Sequence, residues 1–373
     1  ARIAETDAAL VARLRKAGAI IFGKTALHEI GLGGTGINPN QKTSRNPYNL
    51  GRMTGGSSSG SGAAVSAGIC PVALGSDAGG SIRIPAAFCG VYGLKPTFGR
   101  IPTHGGALLA WTLDHVGPLG ASVQDLADFY DATAGEHSLD EHTHQTPPVE
   151  PAGKIEPAPL EDLRVAWCPT MSEDANGPVA HQFFEMLGRI GDSGAVVQEK
   201  HLEFVTQAQK AGYVTMASEA AATQRDWLKE HRRDYNLDTR LLLAVGERVT
   251  SAEYLHAQRV RKLIQRELTG LLERFDVFVT PTAACTAPII TDEALESGEV
   301  NSRINSEVSR YTFLGNVTGF PAVTIPAGTD QHGMPVGLML HGAPWTEKYL
   351  LRIAAAFDSL MPPMPKPRVW FEV

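Results

Sequence analysis

No stretch of the 373 residues is apolar for long enough to cross a bilayer, and no segment reads as a signal peptide. Positive charge is not in surplus either. The chain carries 33 Lys and Arg against 40 Asp and Glu, a net charge of -7. That balance argues against a general nucleic-acid binder, whose affinity rests on basic groups laid over phosphates. Cysteine is scarce: Cys70, Cys89, Cys168 and Cys285 are scattered with no C-x-x-C pair. Neither a zinc site nor a disulfide framework follows from that spacing. Small or apolar surroundings around three of them suggest buried free thiols, which fit a reducing cytoplasm. Internal repeats and strong linkers are missing as well, so residues 1–373 are expected to form a single domain.

What is present alternates between helical and strand-like patterns. Residues 1–16 read as a helix already under way, with Ala9, Leu10, Val11, Ala12 and Leu14 on its apolar stripe. Because the chain does not begin with Met, we expect a segment to precede it. Apolar runs at 19–22, 71–74, 163–168, 195–198, 276–280, 322–326 and 336–341 read as strands. Helices are expected at 61–68, 81–89, 122–134 (capped by Ser122), 179–193, across most of 204–274, and at 345–360. Residues 136–162 are rich in His, Pro and Glu and read as a surface loop. The alternation points to an α/β fold with a central mixed, twisted sheet covered on both faces by helices.

Residues 31–60 are rich in Gly, Asn, Ser, Thr and Pro, too long an irregular stretch to be idle inside a compact domain. Its end, Gly55-Gly56-Ser57-Ser58-Ser59-Gly60-Ser61-Gly62, admits several readings. A flexible linker would not run straight into a small-residue helix and a buried strand. A phosphate cradle would need the Gly-Lys-Ser/Thr that is missing. A nucleophile elbow centred on Ser58 matches formally, but no convincing strand leads into it.

A second motif follows, Gly75-Ser76-Asp77-Ala78-Gly79-Gly80-Ser81, with Arg83 and Pro85 behind it. Unobstructed N–H groups of a glycine-rich turn can converge on one point, and a helix start adds positive potential. A serine there faces donors suited to a carbonyl oxygen that is becoming an oxyanion. Local chemistry leaves both a nucleophile and a plain N-cap open for Ser81.

Taken with Phe88-Cys89-Gly90-Val91-Tyr92-Gly93-Leu94-Lys95-Pro96-Thr97, these motifs resemble the amidase-signature family. The resemblance extends over nearly the whole chain. It continues through residues 14–29, Leu113-Asp114-His115-Val116-Gly117-Pro118-Leu119, Phe275-Asp276-Val277, Thr280-Pro281-Thr282, residues 316–326, and Met334-Pro335-Val336-Gly337-Leu338. It implies a hydrolase that cleaves a carboxylic amide to acid and amine or ammonia through a serine acyl-enzyme, without metal or cofactor. Ser81 would be the nucleophile. Ser57, after a cis peptide bond, would be the serine that bridges to a lysine. Ala78, Gly79 and Gly80, with Ser81, would supply the oxyanion hole. Ser58 and Asp77 would support the loop, and Arg83 would be structural.

The family's lysine lies further upstream than this sequence reaches. Lys24 and Lys95 match its structural positions instead, so the general base is expected outside these residues; a truncated, inactive homologue is the alternative. His104 and His115 are read as surface or core side chains, not bases. Met53, Trp111 within 105–112, and the loop 285–299 are expected around the substrate. The partner is a small-molecule amide, with a homodimer allowed for and neither nucleic acid nor membrane. A transamidation subunit, an esterase using Ser58 and a non-catalytic scaffold are the competing functions.

Overall fold

A computed structural model describes residues 4–361 and 363–371. Its centre is one mixed eight-stranded sheet: β1 (Val72–Asp77), β2 (Tyr92–Lys95), β3 (His115–Gly120), β4 (Arg164–Trp167), β5 (Val196–Glu199), β6 (Val277–Pro281), β7 (Ala322–Thr329) and β8 (Pro335–His341). The spatial order is β1-β3-β2-β7-β8-β6-β4-β5. Pairing is antiparallel from β1 across to β6 and parallel where β4 meets β5 and β6.

The period of two along the central strands sends side chains into two separate cores. Val277, Val279, Val323, Ile325, Leu338 and Leu340 point to one face, where they meet Leu126, Phe183, Ile190, Leu351 and Phe357 of three helices. Their neighbours Phe278, Ala322 and Met339 point to the other, against Ile264, Leu268, Leu314 and Val317. With both faces buried, these strands read as continuous apolar runs, which is why they are recognisable from sequence.

The capping signals hold where they are local. Ser122 accepts the Asp125 N–H at the start of the Val123–Thr133 helix, and Thr250 with Glu253 closes a capping box on Ser251–Leu272. Two expectations fail. The first helix runs only over Ala9–Lys16; residues 1–3 lie outside the described residues, and 4–8 are not helical. Residues 19–22 form no strand: Ile20 is 89% and Phe22 70% exposed. An apolar run becomes a strand only when a neighbouring strand takes up its N–H and C=O groups, and among the described residues none lies alongside. Residues 136–162 do form an irregular loop, but it is pinned. Ala152 and Ala158 join the core, and the Asp140 carboxylate accepts the N–H groups of Thr103 and His104.

Candidate active site

The two glycine-rich motifs come together beneath the end of β1. The strand delivers Asp77, and the chain then turns through Ala78-Gly79-Gly80-Ser81 before the short helix Arg83–Phe88. That helix starts two residues beyond Ser81, with Ile82 at its cap and no capping side chain. The N-cap reading of Ser81 therefore fails. Gly80 has φ +127°, and a Cβ there would sit 2.4 Å from Thr312 Oγ1; a Cβ on Gly79 would meet the Phe313 ring at 2.6 Å. Glycine is required at both positions.

Asp77 organises this turn. Its Oδ1 accepts the Gly80 N–H at 2.7 Å and its Oδ2 the Ile82 N–H at 3.1 Å. Arg83 pairs with both carboxylate oxygens, at 3.0 and 2.9 Å. Asn316 donates to Asp77 Oδ1 at 2.8 Å and accepts from Arg83 at 2.6 Å. Burial pushes the Asp77 carboxyl up, but the Arg83 guanidinium and the hydrogen bonds from Arg83 and Asn316 outweigh it and hold the pKa well below the carboxylate range. Arg83 is wholly buried and also donates to Thr312 O. Among the described residues the Ala78, Gly79 and Ser81 N–H groups have no acceptor. That of Gly80 is taken by Asp77, which narrows the expected set of free donors to three amides.

The first motif folds against this turn. The Gly56–Ser57 peptide is cis, and Ser57 is 2% exposed. Gly56 N–H donates to Gly34 O at 2.7 Å, and Ser57 O accepts from His28 N–H at 3.0 Å. Ser58 N–H donates to Ser81 O at 3.3 Å, which joins the two motifs directly. The Ser58 Oγ donates to Ser76 O and accepts from Ser76 N–H, tying the loop to β1. That engagement, and the coil over residues 53–58, rule out a nucleophile elbow at Ser58. Neither Ser57 nor Ser81 has a hydrogen-bond partner at its Oγ among the described residues.

Ser81, Gly79 and Gly31–Gly34 line a cavity of about 350 Å³. Its walls are Leu32, Met216, Leu241, Leu242, Val245 and Phe313, with a polar side formed by His28, Asp238 and Glu299. Burial pushes the Glu299 carboxyl up, against the Asn301 N–H bond and aided by Asp238 and Glu293. Two expected wall residues are elsewhere. Met53 is fully buried against Ile37 and Ala294, and Trp111 is 51% exposed beside His142. Of the loop 285–299, only Glu299 reaches the cavity. His28 lies in the family-like stretch 14–29, which assigns it no role, and Asp238 lies in no motif; they meet only through the fold.

The histidines and lysines considered as bases lie as follows. His115 is buried on β3, its Nδ1 2.6 Å from Leu113 O, and burial, with Lys95 adding to it, holds its pKa well below the usual imidazole range. Lys95 donates to Pro96 O in the core; burial and then Arg83 push its pKa well below the ammonium range, against Asp77 and Glu347. Lys24 is exposed.

A neighbouring carboxyl gives a pH prediction. Asp114 accepts the N–H groups of Leu109 and Ala110, yet burial pushes it up to about 7 despite those two bonds, with Glu219 and Asp77 contributing. The folded state thus holds this proton more tightly than the unfolded chain. Its contribution to stability declines as pH rises from about 4 to about 7. Wild type should lose roughly 1–4 kcal/mol relative to Asp114→Asn over that window in urea titrations. A difference that stays flat with pH would contradict the assignment.

Amides without an acceptor among the described residues, next to a buried serine that lines a cavity, are an arrangement that acyl-transfer chemistry uses. The chain belongs to the amidase family, whose family model matches residues 1–351. It is 37% identical over 367 residues to the fatty acid amide hydrolase of Oryza sativa subsp. indica, covering 96% of this chain and 60% of that protein. Thus the chain spans about 60% of the length of that relative. A glutamyl-tRNA(Gln) amidotransferase subunit from Thermotoga maritima superposes with a TM-score of 0.81 at 30% identity, covering 97% of this chain and 80% of that one. A peptide amidase with bound chymostatin superposes with a TM-score of 0.81 at 28% identity, over 97% and 78%.

Proposed function

We propose that this protein is a serine amidase that hydrolyses carboxylic amides bearing an apolar acyl group. The observation that carries the reading is the position of Ser81: it lines the apolar cavity, and among the described residues its own N–H and those of Ala78 and Gly79 have no protein acceptor. Ser81 Oγ attacks the amide carbon, and the carbonyl oxygen becomes an oxyanion received by those amides. The C–N bond breaks, and Ser57 passes the serine proton to the leaving amine. Water then cleaves the acyl-Ser81 ester to the acid. The base that starts the cycle is a lysine, in keeping with the family, but neither exposed Lys24 nor core-bound Lys95 fits the role. Homodimer formation and a cytoplasmic location are part of the same proposal; among the described residues no helix is long and apolar enough to cross a membrane.

Ammonia delivery from glutamine, the transamidation alternative, fits the cavity less well. Among the described residues no Lys or Arg lines it, so the α-carboxylate of glutamine would enter without a cationic partner. The test is a series of linear aliphatic amides with the intact gene product. Each added methylene buried against Leu241, Leu242 and Val245 should raise kcat/KM roughly threefold to fourfold until the cavity is full. Leu241→Asp should erase most of that gain while leaving acetamide turnover unchanged. Preference for glutamine, or indifference to chain length, would sink the proposal.

A further inference from the structure

The polar side of the cavity contains a contact that joins residues far apart in the sequence, His28 and Asp238. His28 is 2% exposed. Its backbone N–H holds Ser57 O, and its Nε2 lies 3.2 Å from Asp238 Oδ2, close but not aligned as a hydrogen bond. Its Nδ1 is buried without a partner among the described residues. Gly33 packs flat on the ring: a Cβ there would stand 2.3 Å from Nε2 and 2.4 Å from Cε1. Asp238 belongs to the first turn of the Leu237–Gly246 helix, which carries the cavity residues Leu241, Leu242 and Val245. The same Oδ2 accepts the Glu299 N–H at 3.1 Å. The next residue, Glu29, accepts the Asn236 N–H at 2.7 Å at the cap of that helix.

Two consecutive residues, His28 and Glu29, therefore grip the start of the wall helix, and the first also holds the Ser57 peptide. We propose that His28 and Asp238 are positioning residues: they fasten the acyl-contacting helix to the turn that carries Ser57. Filling of the cavity is thereby registered at the serine pair. The buried, unaligned imidazole is what a movable fastening requires, since a small shift of the helix brings Nε2 and the carboxylate into line. The catalytic consequence rests on the amidase reading above; the mechanical one does not.

The experiment separates the two. Hydrogen exchange of residues 237–246 is compared in intact wild type and in His28→Ala, His28→Gln and Gly33→Ala. His28→Ala, which removes the ring, and Gly33→Ala, which displaces it, should each speed exchange of the wall helix roughly tenfold, while the sheet is unchanged. His28→Gln, whose amide can still reach Asp238, should restore protection. In turnover assays the same two variants should lower kcat/KM for the longest amides about tenfold, and His28→Gln should keep it near the wild-type value. Unchanged exchange in both His28→Ala and Gly33→Ala overturns the fastening, whatever the activity. Faster exchange with no fluorophosphonate labelling of Ser81 in wild type upholds the fastening and refutes the amidase reading instead.

Discussion

Replacing Ser81 by alanine in the intact gene product is expected to reduce amide turnover by roughly 10⁴-fold or more, the scale seen when a covalent nucleophile is removed. The fold should survive. Ser81 Oγ holds no hydrogen bond among the described residues, and the turn is built from backbone and from Asp77. Unfolding free energy should therefore stay within about 0.5 kcal/mol of wild type. Ser57→Ala should also lose most activity. Because the two serines act as one unit, the double variant should be little worse than Ser81→Ala. A Ser81→Ala protein that keeps more than a tenth of wild-type kcat/KM would mean that another group forms the acyl bond.

The largest stability effect is expected four residues earlier in the same motif. Asp77→Ala removes the acceptor for the Gly80 and Ile82 N–H groups and leaves the Arg83 guanidinium, wholly buried, without its carboxylate. Breaking one side of a buried pair typically costs about 3–5 kcal/mol, because the remaining charge is stranded. Thermal melts should fall by roughly 10 °C. Asp77→Asn should do less damage, since its amide oxygen can still accept an N–H. The carboxyl's depressed pKa sets the pH dependence: its stabilisation is in place above the ordinary carboxylate range and disappears as pH falls below it. A loss under about 1 kcal/mol for Asp77→Ala would show that the turn is held by something else.

What was legible in the sequence was local. Strands buried on both faces announce themselves as apolar runs, and caps such as Ser122 announce helix starts. The glycines at 79 and 80 mark a turn that no other residue can make, and Ser81 follows them directly. The unread parts depend on long-range contacts. Residues 19–22 have the composition of a strand but no partner among the described residues. Met53 and Trp111 are expected around the substrate but lie elsewhere, because exposure is decided by packing from Ala294 and His142. The helices Asp292–Ser297, Ser302–Ser309 and Phe313–Thr318 are too short to show a clear period, yet they bring Asn316 to Asp77 and Phe313 against Gly79. His28 and Asp238 meet across most of the chain; the family-like stretch 14–29 gives His28 no role, and Asp238 lies in no motif.

Covalent trapping identifies the acylated residue directly. The intact protein is treated with a fluorophosphonate, digested, and the adduct located by mass spectrometry. A single adduct is expected on Ser81, prevented by prior occupation with a long-chain amide and missing in Ser81→Ala. An adduct on Ser57 or Ser58, or steady amide hydrolysis by a protein that takes up no label, would contradict it.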